Sequence, residues 1–289
     1  MFLQLLVNGI AMGSIYALVS LGFSLVYNTT RIFHIAYAVL YMFAPYMILT
    51  FYRNLGIPFY IAFPIAILLT IFLSVLMELI IYRPLSRKKS SSTVVLISSI
   101  GIMIVVINLI AMFYGNETKI LNPNISKSIS FGNIIITHSQ LFQLIISILA
   151  ISTFLVFLKF SKFGIKTRAM RDDNVLCAVF GMNINKMRLV LFMLSGFFAA
   201  LGGGLVAYDV GMDPYVGMPM LLNAVVALII GGMGRFEAPI IGGFIIGILQ
   251  AMAVWTFSSR WQDAVTFTLL ILFLLFRPQG LIGEKERAV

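Results

Sequence analysis

Long apolar runs alternate with short polar breaks along the whole chain. Nine of the runs reach, or nearly reach, the ~20 residues a helix needs to cross a hydrocarbon core of ~30 Å. They cover residues 4–27, 33–52, 58–82, 93–114, 139–158, 189–209, 219–233, 239–257 and 262–276, the seventh and ninth being the shortest. The count becomes eight to ten if a short run is dropped or a long one split. The pattern predicts an all-α, polytopic membrane protein in which residues 1–289 form one transmembrane domain. Two breaks are longer than the rest. Residues 115–138, GNETKILNPNISKSISFGNIIITH, are rich in Asn, Ser, Gly and Pro, which suits an exposed cap with a short hairpin. Residues 159–188, KFSKFGIKTRAMRDDNVLCAVFGMNINKMR, form the one long basic stretch.

Composition agrees with the pattern and removes other readings. Hydrophobic residues make up 61% of the chain and charged residues 10%, with mean hydropathy +1.04; a soluble domain is about a quarter charged. A net charge of +10 suggests nucleic acid in a soluble protein, but here the charges sit in the breaks, where topology and anionic lipid headgroups account for them. No nucleic-acid partner is expected. The start, MFLQLLVNGIAMG, lacks the basic first segment of a signal peptide and reads as a retained span.

The charges also orient the chain. With the N-terminus outside and nine crossings, one side receives Arg31, Arg83, Arg87, Lys88, Lys89, the seven basic residues of 159–188, Arg235, Arg277, Lys285 and Arg287. The other receives only Arg53, Lys119, Lys127 and Arg260. Sixteen against four places the richer side in the cytoplasm, N-out and C-in. Dropping one crossing would scramble the split.

Small residues recur at four-residue steps: Gly9, Gly13, Ala17; Ser195, Ala199, Gly203; Gly243, Gly247. Such ridges let helix backbones approach closely in lipid, within one subunit or at a seam between two.

Candidate chemistry is sparse. His34 and His138 have no Cys, Asp or Glu partners at metal-ligand spacing, so no metal is expected. No Gly-Lys dipeptide occurs, which excludes a phosphate-cradling nucleotide loop. Glu78, Asp209 and Glu237 lie at span ends or in a turn, away from mid-membrane, which speaks against an ion-coupled carrier. No convergent acid/base set exists, so no catalytic residue and no cofactor is expected.

The basic break carries the sharper signal. Asp172, Asp173 and Asn174 supply cap and first-turn residues for a short helix that Gly181 stops. Within it Val175, Leu176, Val179 and Phe180 fall at i, i+1, i+4 and i+5 and form one apolar stripe. Such a helix either docks a partner protein or rests on the lipid surface.

Residues Arg171–Asn183, with Ala178, Gly181 and Asn183 as Ala-x-x-Gly-x-Asn, resemble the cytoplasmic coupling loop of ABC importer permeases. Asn223–Gly243, NAVVALIIGGMGRFEAPIIGG, looks like the Gly-Gly-Met-Gly segment of branched-chain amino acid permeases, and Arg277–Leu281, RPQGL, resembles their C-terminal signature. The first span, NGIAMGSIYALVSLGFSLVY, is similar too, so the resemblance covers essentially the whole chain. It implies a multi-pass permease subunit of the cell (inner or plasma) membrane, importing branched-chain or similar amino acids. It also implies ABC ATPase subunits docked around Arg171, Asp172, Asp173, Val175, Ala178, Val179, Gly181 and Asn183. The further implied partners are a second permease subunit forming a heterodimer, an extracytoplasmic solute-binding protein and membrane lipid. ATP hydrolysis would belong to the ATPase chains; this chain is not an enzyme.

Departures bear on the solute. His34-Ile35-Ala36-Tyr37-Ala38 stands where the family tends to carry an Asn-Phe-Ala-His-Gly-like string, and Ala238 where Gly is usual, with Arg235 and Glu237 more charged than expected. Ser14, Tyr16, His34, Tyr37 and Asn223 are candidates to line the pathway, against a packing or interfacial-anchor role for each. Urea or a short amide is the alternative cargo. An ATP-independent secondary carrier or channel is the alternative of another class.

Overall fold

A computed structural model describes residues 2–121, 128–131, 134–256, 258, 261–277 and 279–282. Each of the nine apolar segments coincides with helix. Helix α1 is Phe2–Thr30; α2 is Tyr37–Ile48, continued by π-helical turns through Asn54. Helix α3, Phe59–Met77, continues through π turns Glu78–Tyr82 into α4, Arg83–Arg87. Then come α5, Ser92–Tyr114; strands β1, Ser128–Phe131, and β2, Ile134–Thr137; and α6, His138–Phe160. The basic break holds α7, Lys162–Asp172, and α8, Asn174–Val179. Helices α9, Ile184–Asp209, α10, Gly217–Gly231, α11, Ala238–Thr256, and α12, Gln262–Phe276, complete the chain.

Among the described residues six helices are long and apolar enough to cross a membrane: α1, α3 extended to Arg87, α5, α6, α9 and α11; α10 and α12 are shorter apolar helices. This is a multi-pass membrane protein. The second segment begins its helix at Tyr37 rather than Phe33 because His34–Ala36 form a tight turn, their carbonyls accepting from Tyr37, Ala38 and Val39 N–H. The third runs past its expected end because nothing stops the ladder before Lys88, whose N–H bonds Pro84 O at 3.1 Å. The hairpin expected within residues 115–138 is present as an antiparallel pair, with Ser128 opposite Thr137 and Phe131 opposite Ile134, so among the described residues the fold is helical with one small two-stranded sheet.

The chain divides into two bodies, Met1–Ser24 with Asn122–Leu155 and Pro219–Val289, and Leu25–Leu121 with Val156–Met218. In the first, the Gly9/Gly13/Ala17 ridge of α1 meets the Gly243/Gly247 ridge of α11. A Cβ on Gly9 would lie 2.8 Å from Ile248 Cα, one on Gly13 2.9 Å from Phe244 Cα, and one on Gly243 against the backbone of Ala17. These two ridges therefore close on each other inside one chain, the association small residues permit in lipid. Gln4 uses its amide to donate to Ile135 O (2.8 Å) and accept from Ile135 N–H (2.7 Å), extending the hairpin edge onto α1. The C-terminal segment returns to α10: Leu281 and Ile282 N–H donate to Ile230 and Gly231 O at 2.9 Å. Gly280 (φ +74°) lies against Gly232 there, with no room for a Cβ. The two family-like motifs, residues 223–243 and 277–281, thus meet.

In the second body α2, α3 and α9 pack together. Gly203 of α9 sits against Tyr41 and Pro45 of α2, and Gly196 against Ser74 and Ile71 of α3. Ser74 Oγ donates to Phe192 O at 2.7 Å, tying α3 to α9.

Candidate functional site

Local sequence builds the site in the basic break. Ser161 caps α7 by accepting from Gly164 N–H (3.0 Å), and Arg168 Nη1 donates to Leu158 O (2.8 Å), pinning α7 back on the end of α6. Reading the sequence gave α7 only as polar loop; its Ser161 cap followed by helix-forming Lys, Arg and Met was the available signal. Asp173 ends α7 and starts α8. Its φ of −154° breaks the helix, and its carboxylate accepts from Val175 N–H (2.7 Å) and Leu176 N–H (2.9 Å). That is the N-cap arrangement, with a negative charge where the helix dipole favours it. Arg171 pairs with Asp172 at 2.7 Å, and Asn174 Nδ2 donates to Thr29 O at 2.6 Å, anchoring α8 on the end of α1.

The far end is a Schellman turn. Met182 N–H reaches Cys177 O and Gly181 N–H reaches Ala178 O, both at 3.0 Å, with Gly181 at φ +78°. Only glycine adopts that backbone without strain. Asn183 caps the next helix, α9, by accepting from Lys186 N–H (3.0 Å). Between these caps Val175, Leu176, Val179 and Phe180 are 75%, 53%, 77% and 81% exposed. Ala178 is exposed beside them, and Cys177 alone turns inward. Burial, then the Asp173 and Asp172 carboxylates, push the Cys177 thiol up from its ordinary value.

Five residues after Asn183, Arg188, in the first turn and a half of α9, grips Glu78 with both edges of its fork: Nε to Oε1 at 2.8 Å and Nη2 to Oε2 at 3.0 Å. Its Nη1 donates to Ser86 Oγ at 2.6 Å. The side chains are 9% and 1% exposed. This buried pair joins the end of the basic break to the C-terminal end of α3. Reading the sequence missed it, because the partners lie 110 positions apart and each looks like an ordinary span-end charge.

The pathway candidates fall into two clusters. Tyr16 OH donates to Gln250 Oε1 (2.7 Å), whose Nε2 donates to Asn223 Oδ1 (3.1 Å) and Thr266 Oγ1 (2.5 Å). Gln250 is the hub, and the sequence reading did not single it out; a lone Gln in the apolar run 239–257 was the signal. Ser14 bonds its own helix at Ala11 O. In the other body His34 Nδ1 meets Tyr82 OH (2.7 Å), which donates to Ser99 Oγ (2.8 Å), and Ser99 Oγ accepts from Ala36 N–H (2.9 Å). Tyr37 is edge-on to His34 at 6.1 Å and fully buried. Among the described residues no group of three His, Cys, Asp or Glu is placed to hold a metal ion.

Comparison with known proteins adds the family. A family model described as "Branched-chain amino acid transport system / permease component" matches residues 5–274. The chain is 29% identical to the high-affinity branched-chain amino acid transport system permease protein LivH of Escherichia coli K12, over 99% of this chain and 96% of that one. It is 28% identical to the corresponding protein BraD of Pseudomonas aeruginosa, covering 99% and 97%. The solved structure titled "PsaBC from Streptococcus pneumoniae in complex with Fab" superposes with TM-score 0.55 at 15% identity, covering 96% of this chain and 93% of that one; this likeness is one of fold. With that match running from the first span to the last, and with the capped loop helix and the glycine ridges in place, the chain belongs to the branched-chain amino acid transport permease family.

Proposed function

We propose that the chain is one transmembrane subunit of an ATP-driven ABC importer for branched-chain or similarly hydrophobic amino acids in the cell's inner membrane. Helix α8 carries the reading. Four apolar side chains stand in solvent on a helix capped at both ends, and an apolar patch held that firmly outside the membrane fits a partner surface. The partner proposed is an ABC ATPase, since the sequence has no nucleotide loop of its own. All nine helical segments cross, N-out and C-in, and residues 1–289 act as one permease domain. A second, non-identical permease subunit completes the pathway, and an extracytoplasmic binding protein delivers the solute.

Burial sorts the pathway candidates. A wall shared with a second subunit is exposed in the isolated chain. Ser14, His34 and Tyr37 are fully enclosed, Ser14 bonded within its own helix and His34 to Tyr82; Tyr16 and Asn223, at 6% and 7%, keep a thin accessible edge beside Gln250. The pathway role is proposed for that second pair.

Reconstitution tests the reading. Liposomes carrying this chain, with and without an ATPase and second permease from the same gene cluster, are assayed for leucine and urea uptake. The expected result is ATP-dependent leucine uptake by the full set. Uptake by this chain alone would overturn it in favour of a carrier or channel, and urea uptake without leucine uptake would overturn the cargo.

A further inference from the structure

A cavity of about 310 Å³ opens on the inner end of the third span, lined by Leu79, Arg83, Pro84, Arg87 and Lys88. Leu79, Arg83 and Arg87 follow at four-residue steps along the continuous helix from Phe59 to Arg87, with Lys88 in the first turn beyond, so three cations stand around one hollow. Arg83 lends its field to Glu78, but the cations are otherwise uncommitted. Among the described residues none of the three makes a side-chain hydrogen bond or ion pair, and Arg83 Nε is buried without a partner. Glu78, one turn earlier, is occupied by Arg188. A buried guanidinium nitrogen with no acceptor costs free energy, so the site is incomplete until an anion fills it.

The surroundings identify the anion's other half. Leu68, Phe72, Leu79 and Ile80 are exposed along the same span and lead up to the cavity. From Phe72 to Arg83 is eleven residues, about 16 Å of helix, which is about half of a ~30 Å hydrocarbon core. An acyl chain of one leaflet fits that length, and a phosphate at its head reaches the three cations. A free phosphate would find the cations but waste the apolar wall.

We propose that Arg83, Arg87 and Lys88 form a binding site for the phosphate of an anionic phospholipid, whose acyl chain lies along Leu79 and Phe72. Its placement in the inner leaflet rests on the orientation proposed above; the lipid preference does not. Arginine forks supply paired donors to phosphate oxygens and Lys88 adds a mobile charge, so headgroups without net charge are held weakly.

Native mass spectrometry of the full chain in detergent tests this, with phosphatidylglycerol, phosphatidylcholine, glycerol phosphate or inorganic phosphate added. Phosphatidylglycerol is expected to be retained over phosphatidylcholine and not displaced by equimolar glycerol phosphate or inorganic phosphate. At about fivefold per cation, the triple variant Arg83→Gln/Arg87→Gln/Lys88→Gln loses its affinity for phosphatidylglycerol by about a hundredfold. The control Lys159→Gln/Lys162→Gln/Lys166→Gln removes equal charge elsewhere in the chain and retains the lipid. Both variants are checked for unchanged elution in size-exclusion chromatography, and a misfolded triple is replaced by Arg87→Gln/Lys88→Gln, for which about a 25-fold loss is expected at the same fivefold per cation. Equal retention of both lipids, equal loss in the control, or displacement by soluble phosphate would overturn the proposal. So would a triple variant that keeps its lipid but loses a co-purifying protein, which would assign the cations to a protein surface. Sidedness is read separately, by labelling Val175→Cys in a Cys177→Ser background, so a wrong orientation and a wrong site give different results.

Discussion

The basic break 159–188 and the glycine-ridged core are held in place by opposite means. In the core, α1 meets α11 and α9 meets α2 through small residues whose backbones touch, and stability there is spread over long lines of contact. The break is fastened at points: Arg168 to Leu158 O, Asn174 to Thr29 O, Arg188 to Glu78. Between those points its most apolar side chains face solvent. A segment fastened this way keeps its own shape by capping and keeps its apolar surface free for something else. Losing a point should cost more than crowding a line of contact.

Glu78→Ala is the strongest test. It strands a guanidinium that is 9% exposed, and removing one partner of a buried pair costs about 3–5 kcal/mol. A large drop in thermal midpoint of the purified protein is expected, with recovery in the double variant Glu78→Leu/Arg188→Met. A drop no larger than that of an exposed control such as Lys162→Ala would show that the break is not held there.

Gly243→Val should come next. Its Cβ would meet the Ala17 backbone, and forced helix separation costs about 3 kcal/mol, the upper end for overpacking. Expression should fall, and Ala17→Gly should not restore it, because the atoms met are backbone. Unchanged expression and melting would mean that α1 and α11 do not depend on the ridge.

Gly181→Val acts on the break alone. A β-branched residue at φ +78° costs about 1–2 kcal/mol, too little to unfold the chain. Membrane expression should stay near normal while co-purification of an ATPase and solute-stimulated ATP hydrolysis are lost. Transport at the normal rate would detach α8 from coupling.

The smallest effect is at Cys177. Its thiol is shifted upward, so the folded chain favours the neutral form. The stability this contributes is complete below the ordinary thiol value of ~8.5 and is lost as pH rises through the higher folded value, because the unfolded chain ionises first. Alkylation of native protein should therefore rise with pH later than alkylation of denatured protein. Coincident profiles would show that the thiol is not shielded.

What could be read from the chain depends on distance along it. The caps of α8 were legible because Asp173 and Gly181 act within three to five positions. The ridges were legible because a four-residue step is itself the helical geometry. Arg188–Glu78 and the Gln250 cluster were not, since nothing local distinguishes a residue with a partner far along the chain from one without. Helix α7 was lost for another reason. It carries a polar, basic sequence, and its helicity depends on the Ser161 cap and the Arg168 tie rather than on an apolar face.

In the nine-crossing arrangement proposed above, the return of the C-terminal segment to α10 bears on how short a spanning helix can be. Fifteen residues rise about 22 Å, less than the ~30 Å of hydrocarbon. A helix that stops early leaves carbonyls in a medium that offers no hydrogen bonds, at several kcal/mol each. Leu281 and Ile282 bring their own amides to Ile230 and Gly231, so α10 can terminate below the lipid surface with its last acceptors filled. The segment after α12 thus works as a plug of backbone donors, and a chain truncated at Phe276 would have to lengthen α10 or draw water to its end.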